Sequence, residues 1–141
     1  MKTSARNEFL GKVKSLENGP VNTEVILDIG GSDLVAIITH ESVDALGLKV
    51  GGEAYALIKA PWVIVTPGSS TLKTSARNRL CGVVTQCHEG AVNGEVVIEL
   101  AGGKHIAAII TNESLKSLGL KVGAPACAHI KASHIILAVD A

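Results

Sequence analysis

The chain has 141 residues, of which 47% are hydrophobic but only 2% aromatic, and its 13 Lys and Arg residues balance 13 Asp and Glu residues. A net charge of zero argues against bulk attraction to nucleic acid or to an anionic membrane. No apolar run approaches the roughly 20 residues of a membrane span and no signal-peptide core follows the N-terminus, so we expect a cytoplasmic protein.

The first half of the chain predicts three strands, a short helix and two further strands. The strands are indicated by β-branched and apolar residues between turns that contain glycine. The helix has Thr39 as a candidate N-cap, Val43 and Leu46 three residues apart, and Gly47 where a helix ends. In chain order the predicted elements are "NEFLGKVKSL", "EVILDI", "DLVAIIT", the helix "HESVDALG", "EAYALIKA" and "WVIV".

The second half repeats the first. The hexapeptide "KTSARN" begins both copies, and "LGLKVG" also occurs in both. The period is too long for a solenoid and is typical of a duplicated small domain. We predict a first domain over 1–66, a linker rich in Pro, Gly and Ser over 67–72, and a second domain over 73–141.

Five short strands with one helix between the third and the fourth are typical of a small OB-type barrel. We therefore predict a mainly β protein of two tandem OB-like five-stranded Greek-key barrels, each with one short helix. The periodicity does not fix the order of the strands. Two domains of this size would be marginal alone, and the mean hydropathy of +0.36 suggests further apolar surface buried between subunits.

The repeat also shows which polar residues are absent from one copy. Cys81, Cys87 and Cys127 each replace an apolar residue of the first copy, so we expect buried thiols in the core and no disulfide framework. The five histidines do not recur, and they form no cluster with the spacing of a metal site. No nucleophile, base and orienter pattern is present. We predict that the protein is not an enzyme and has no cofactor and no metal cation site.

Four polar groups do recur. Each has a structural interpretation, as a solvated strand start, a helix cap, an edge-strand charge or a turn residue. Together they bring cations, hydroxyl donors and a helix N-terminus, which suit a compact tetrahedral oxyanion. Nucleic acid fits less well because aromatic stacking platforms are missing. The groups are Ser4 and Arg6 with Ser75 and Arg77, Thr39 and Ser42 with Thr111 and Ser114, Lys59 with Lys131, and Asn22 with Asn93.

The motifs that carry these residues resemble those of a known family. They are "SARN" in both copies, "GPVNTEV" and "GAVNGEV", "IITHES" and "IITNES", "LGLKVG" twice, and "AYALIKAPWVIV" and "ACAHIKASHIILAV". The chain resembles the molbindins, specifically the di-Mop form with two tandem Mop domains. The resemblance implies OB-like barrels that assemble into a homotrimer and hold molybdate or tungstate between Mop domains.

The resemblance also implies two classes of oxyanion site. In the main class, residues of one domain would hold the anion and two hydroxyls of a neighbouring domain would close the site: Ser4, Arg6, Lys59 and Ala60 with Thr39 and Ser42, and in the second copy Ser75, Arg77, Lys131 and Ala132 with Thr111 and Ser114. An axial class would use the turns at Val21, Asn22, Val92 and Asn93.

The leading hypothesis is therefore a cytoplasmic protein that binds and stores or buffers molybdate or tungstate, without a nucleic-acid or membrane partner. One alternative is an oxyanion-responsive sensing module that acts on a separate partner. Another is an OB-type module for nucleic acid or saccharide.

Overall fold

The computed structural model describes residues 2–140 and contains two similar halves of antiparallel strands. Each half has five strands, with a short helix between its third and its fourth strand. The first half consists of β1 (Asn7–Asn18), β2 (Asn22–Asp28), β3 (Asp33–Thr39), α1 (His40–Leu46), β4 (Glu53–Ile58) and β5 (Ile64–Pro67). The second consists of β6 (Asn78–Glu89), β7 (Asn93–Leu100), β8 (His105–Thr111), α2 (Asn112–Ser117), β9 (Pro125–Ile130) and β10 (Ile136–Ala138).

The core lies inside each curled sheet and is aliphatic, as the composition predicts. Along β1 and β2, buried and more exposed residues alternate, because successive side chains of a strand point to opposite faces. Val25, Leu27 and Leu34 are fully buried in the first half, as are Val96 and Ile98 in the second. The mainly β class with two five-stranded units is confirmed.

The fifth strands are exchanged between the halves. The first sheet has the order β10-β4-β1-β2-β3, and the second has the order β5-β9-β6-β7-β8. Thus Ile64 lies opposite His129 of the second half, and Ile136 lies opposite Leu57 of the first. The expectation that each copy completes its own unit with its own fifth strand is wrong. A 3-10 helix at Ala60–Trp62 leads the chain out of β4 and into the other half.

Polar side chains join the halves at two equivalent places. The amide of Asn7, which is 3% exposed, accepts from the backbone N–H of Ala107 (2.7 Å) and donates to the carbonyl of the same residue (2.9 Å). Asn78 makes the same pair of hydrogen bonds with Val35, at 2.7 and 2.8 Å. Each amide therefore acts as one more strand partner for β8 or β3.

A disulfide joins Cys81 to Cys127. The two residues lie directly opposite each other on β6 and β9, with a Cα–Cα distance of 4.0 Å. The expectation of free thiols is wrong for this pair, because the pairing of two distant strands brings them together. Cys87 is free and packs against the core, as expected, and burial raises the pKa of its thiol.

Within residues 2–140, no helix is long and apolar enough to cross a membrane.

Candidate functional site

The two recurring lysines lie close to the contact between the halves. Each follows the fourth strand of its half and directly precedes a 3-10 helix, at Ala60–Trp62 and at Ala132–His134. The ring centroids of Trp62 and His134, which occupy equivalent positions, are 4.9 Å apart. The Nζ atom of Lys59 lies 5.3 Å from the centre of the Trp62 ring, a distance at which a cation is attracted to the aromatic face.

One cavity brings predicted site residues of the second copy together. Ser75 and Lys131 line a space of about 190 Å³, together with Thr74. Trp62 and Ile64 complete its wall from the first half, because the exchange of β5 carries them there. Among the residues that the structure describes, those lining the cavity include a lysine, two hydroxyls and two histidines but no carboxylate. These groups can donate hydrogen bonds and attract an anion.

The two recurring arginines make ion pairs between the halves. Arg6 forms a two-pronged pair with Glu95, in which Nη2 lies 2.8 Å from Oε1. Arg77 pairs with Glu24 at 2.7 Å. The hydrogen bond from Arg6 holds the pKa of Glu95 below its ordinary value, against the opposing effect of burial. In this arrangement, carboxylates of the chain itself neutralise both guanidinium groups.

The recurring hydroxyls cap the two helices. The Oγ1 atom of Thr39 accepts from the backbone N–H of Ser42 (3.1 Å) and donates to its hydroxyl (2.9 Å). Thr111 and Ser114 repeat this geometry with the same distances. Thr39 and Ser42 also line a separate cavity of about 410 Å³, with Ser133 from the second half. They therefore do not meet Ser75 and Lys131 in one cavity within the chain.

The turns of the predicted axial class present apolar side chains to solvent. Val21 is 70% exposed and Val92 is 74% exposed. A cavity of about 430 Å³ at the first turn is lined by Asn22 but also by Glu17 and Glu24. A dianion at this place would face two carboxylates, so the chain alone offers a poorer anion site here than at Ser75 and Lys131.

A histidine and an asparagine at equivalent positions hold these turns. The Nε2 atom of His40 donates to the carbonyl of Gly19 at 2.8 Å, and its Nδ1 lies 2.7 Å from the hydroxyl of Thr23. In the second copy, the side-chain amide of Asn112 donates to the carbonyl of Gly90 at 2.9 Å. These contacts agree with a structural role for His40.

The asparagine of the repeated "SARN" motif is the part that sequence reasoning missed. Asn7 and Asn78 recur as strictly as the serine and the arginine, and this recurrence was the available signal. Their role depends on a partner in the other half, which the sequence does not identify. In residues 2–140, no group of three His, Cys, Asp or Glu side chains could hold a metal ion.

Comparison with known proteins places this architecture in a family. The family model described as the TOBE domain matches residues 3–65 and 74–137. The chain therefore belongs to the TOBE domain family, and it carries two tandem copies of the domain. The resemblance to the Mop-type molbindins is confirmed, both by this match and by the relatives that follow.

The relatives are named for molybdenum. The chain is 44% identical over 140 residues to the molybdenum transport protein ModE of Azotobacter vinelandii, covering 99% of the chain and 52% of that protein. It is equally similar to the molybdenum-pterin-binding protein MopA of Rhodobacter capsulatus, covering 53% of it. A more distant relative, 31% identical over 140 residues, is the DNA-binding transcriptional dual regulator ModE of Escherichia coli. The chain spans about half the length of these curated relatives.

One solved structure matches from end to end. It is the cytoplasmic molybdate-binding protein ModG with molybdate bound, with a TM-score of 0.94 and 48% identity over 99% of this chain and 100% of that chain. None of these relatives is named as an enzyme, in agreement with the expectation from the sequence.

Proposed function

We propose that this chain binds molybdate or tungstate in the cytoplasm and stores or buffers the free anion. The observation that carries the proposal is the cavity where Ser75 and Lys131 meet without a lining carboxylate. The likeness to ModG, which binds molybdate, supports this choice of anion. Binding is an exchange without covalent change, in which the donors of the protein replace the hydration shell of the anion.

The donors of the cavity suit a tetrahedral dianion. The ammonium group of Lys131 supplies charge, and the hydroxyls of Ser75 and Thr74 supply neutral donors. Charge-assisted hydrogen bonds to such an anion are stronger than neutral ones. Trp62 and Ile64 form the apolar part of the wall, and they are exposed in the single chain, so the proposal leaves the exclusion of water to a neighbouring copy. By the repeat, the proposal assigns Ser4, Lys59 and Ala60 to the site of the first half, in the places of Ser75, Lys131 and Ala132.

Arg6 and Arg77 have a different part in this proposal. Their guanidinium groups are paired with Glu95 and Glu24, so they hold the halves in register beside the two lysines. The two arginines then support anion binding through the position of the halves and through their backbone groups, whereas Lys59 and Lys131 supply the positive charge.

We further propose that the sites are closed by other copies of the chain in a homotrimer. Thr39 and Ser42 belong to the predicted main class, yet they line a different cavity from Ser75 and Lys131. A neighbouring copy could bring such hydroxyls to the lysine cavity. Apolar side chains exposed at equivalent positions of the halves support an assembly that buries them: Val21 and Val92, Val50 and Val122, and Ile64 and Ile136. The axial class of site, at Asn22 and Asn93, would form where such turns meet.

A molybdate titration of lysine variants tests the assignment. Each charge-assisted bond contributes about 1.5–3 kcal/mol, so Lys131→Ala should weaken its sites by about tenfold to a hundredfold or more. Lys59→Ala should do the same in the first half. Lys49→Ala and Lys121→Ala are matched controls, since these exposed turn residues also recur, and each should change affinity by less than about twofold. Equal losses of molybdate affinity in all four variants would indicate a general effect of positive charge, and they would contradict the assignment of Lys59 and Lys131 to the sites.

Sensing is the second candidate function. It is favoured by the similarity to the ModE regulator of E. coli, of which this chain covers 52%. Elemental analysis of the protein from cells grown over a range of molybdate supply separates the two roles. A store gains molybdenum in step with supply, whereas a sensor reaches a constant content at low supply. The zero net charge and the scarcity of aromatics support a chain that acts without nucleic acid.

A further inference from the structure

The linker between the halves borders a second groove, which adjoins the proposed oxyanion cavity. The groove has a volume of about 460 Å³ and lies between the strands β6 and β9 and a segment that runs from the end of the linker into the second copy, residues 70–74 and 76. Its lining includes Lys73 and Arg79, and the hydroxyls of Ser70, Thr71 and Thr74. Thr74, Ala76 and His129 line both this groove and the cavity that contains Lys131, whereas Lys73 and Arg79 line the groove alone.

The groove carries positive charge without a compensating acid. None of the described residues that line it is acidic. In the described part of the chain, neither Lys73 nor Arg79 forms a salt bridge, whereas Arg6 and Arg77 both do. Two such cations in a concave surface attract an anion, and a guanidinium group matches the oxygens of a phosphate in a two-pronged geometry.

A buried polar side chain, that of His129, lines the same groove. The side chain of His129 is 2% exposed, and its Nε2 lies 2.9 Å from the hydroxyl of Thr66. Its Nδ1 is buried and has no hydrogen-bond partner among residues 2–140. A buried polar atom without a partner is energetically unfavourable. The equivalent residue of the first half is Leu57, so the fold itself does not require a polar side chain here.

We propose that this groove binds a small phosphorylated organic molecule. A bare tetrahedral oxyanion would fill little of the space, whereas organic ligands occupy pockets of about 300–1,000 Å³. Phosphate oxygens would accept from Arg79, Lys73 and the linker hydroxyls. A ligand oxygen that enters between the linker and the sheet would give His129 the partner that it lacks.

The test uses calorimetry at physiological salt, with adenosine monophosphate and ribose 5-phosphate as probes and inorganic phosphate beside them. The parent protein should bind at least one ester saturably, and more tightly than inorganic phosphate. Arg79→Gln should weaken this binding by about tenfold or more. Lys121→Ala, in an exposed turn, is the control and should bind as the parent does.

His129→Leu is a second variant, and it places in the second half the residue that the first half has. It should stay folded and bind the ester more weakly. Molybdate affinity of Arg79→Gln should equal that of the parent, so this site can fail while the oxyanion proposal stands. No saturable ester binding would overturn the inference, as would undiminished binding in both variants. Inorganic phosphate that binds as tightly as both esters would overturn the assignment of an organic ligand.

Discussion

Replacement of Asn7 by alanine should lower the free energy of unfolding by about 3 kcal/mol. The Asn7 side chain makes three hydrogen bonds, two with the backbone of Ala107 and one, at 3.2 Å, to the carbonyl of Ile58. Net contributions of about 0.5–1.5 kcal/mol each give about 1.5–4.5 kcal/mol. The lower end of this range is excluded because the variant leaves the N–H of Ala107, a residue only 7% exposed, without its partner.

Urea unfolding followed by circular dichroism measures this loss, at one fixed protein concentration because assembly would also stabilise the native state. Asn78→Ala should behave in the same way, since Asn78 makes the equivalent bonds with Val35. Asn93→Ala is the control: its side chain is exposed at the start of β7, and the change should stay within about 0.5 kcal/mol. A loss below about 1 kcal/mol for Asn7→Ala, or equal losses in all three variants, would refute the role of the amides in joining the halves.

Three further predictions concern the second half. Reduction of the Cys81–Cys127 bridge, which spans 46 residues, should lower the unfolding free energy by up to about 4 kcal/mol in urea titrations; no change would contradict this. Gly82→Ala should lower thermal stability more than Gly11→Ala, because its Cβ would lie 1.8 Å rather than 2.9 Å from a carbonyl oxygen; equal melting temperatures would count against it. Burial, and to a smaller extent the charge of Arg79, lowers the pKa of His129 in the folded protein. As the pH falls, the imidazole therefore becomes protonated in the unfolded chain before it does in the folded protein. The free energy of unfolding should thus decrease as the pH drops below about 6.5. His129→Leu should flatten that fall, and an unchanged pH profile would contradict the argument.

The sequence predicted the individual elements well because their signals are local. The alternation of apolar residues fixes which face of β1 or β2 is buried. The cap residue Thr39 and the glycine at 47, which has a φ of 65°, mark the two ends of α1 where the sequence placed them. The duplication predicted the number of strands in the second half from those in the first.

The exchange of the fifth strands could not be predicted in the same way. The alternation of apolar and polar residues along a strand specifies which side chains face the core. The alternation carries no information about which strand is the hydrogen-bonded neighbour. Ile64 and Ile136 occupy equivalent positions, so either could have paired within its own half. The disulfide escaped prediction for a related reason: Cys81 and Cys127 become neighbours only through the register of β6 and β9.

The same distinction between local and long-range information applies to the candidate site. The sequence identified Lys131 and Ser75 as a recurring pair, and the structure brings them into one cavity. It grouped Arg6 with them because both recur, but recurrence does not distinguish a residue that serves a ligand from one that serves the contact between copies. The ion pair between Arg6 and Glu95 favours the second role.

The repeated hexapeptide follows from this reciprocal contact. When two similar units meet about an approximate twofold axis, each must supply both partners of every contact. Arg6 pairs with Glu95, and Arg77 pairs with the equivalent Glu24. Asn7 binds Ala107, and Asn78 binds the equivalent residue, Val35. A change in one copy of the motif alone would leave a polar group without its partner. The arginine and the asparagine are therefore needed twice for assembly, whether or not each serine contacts an anion.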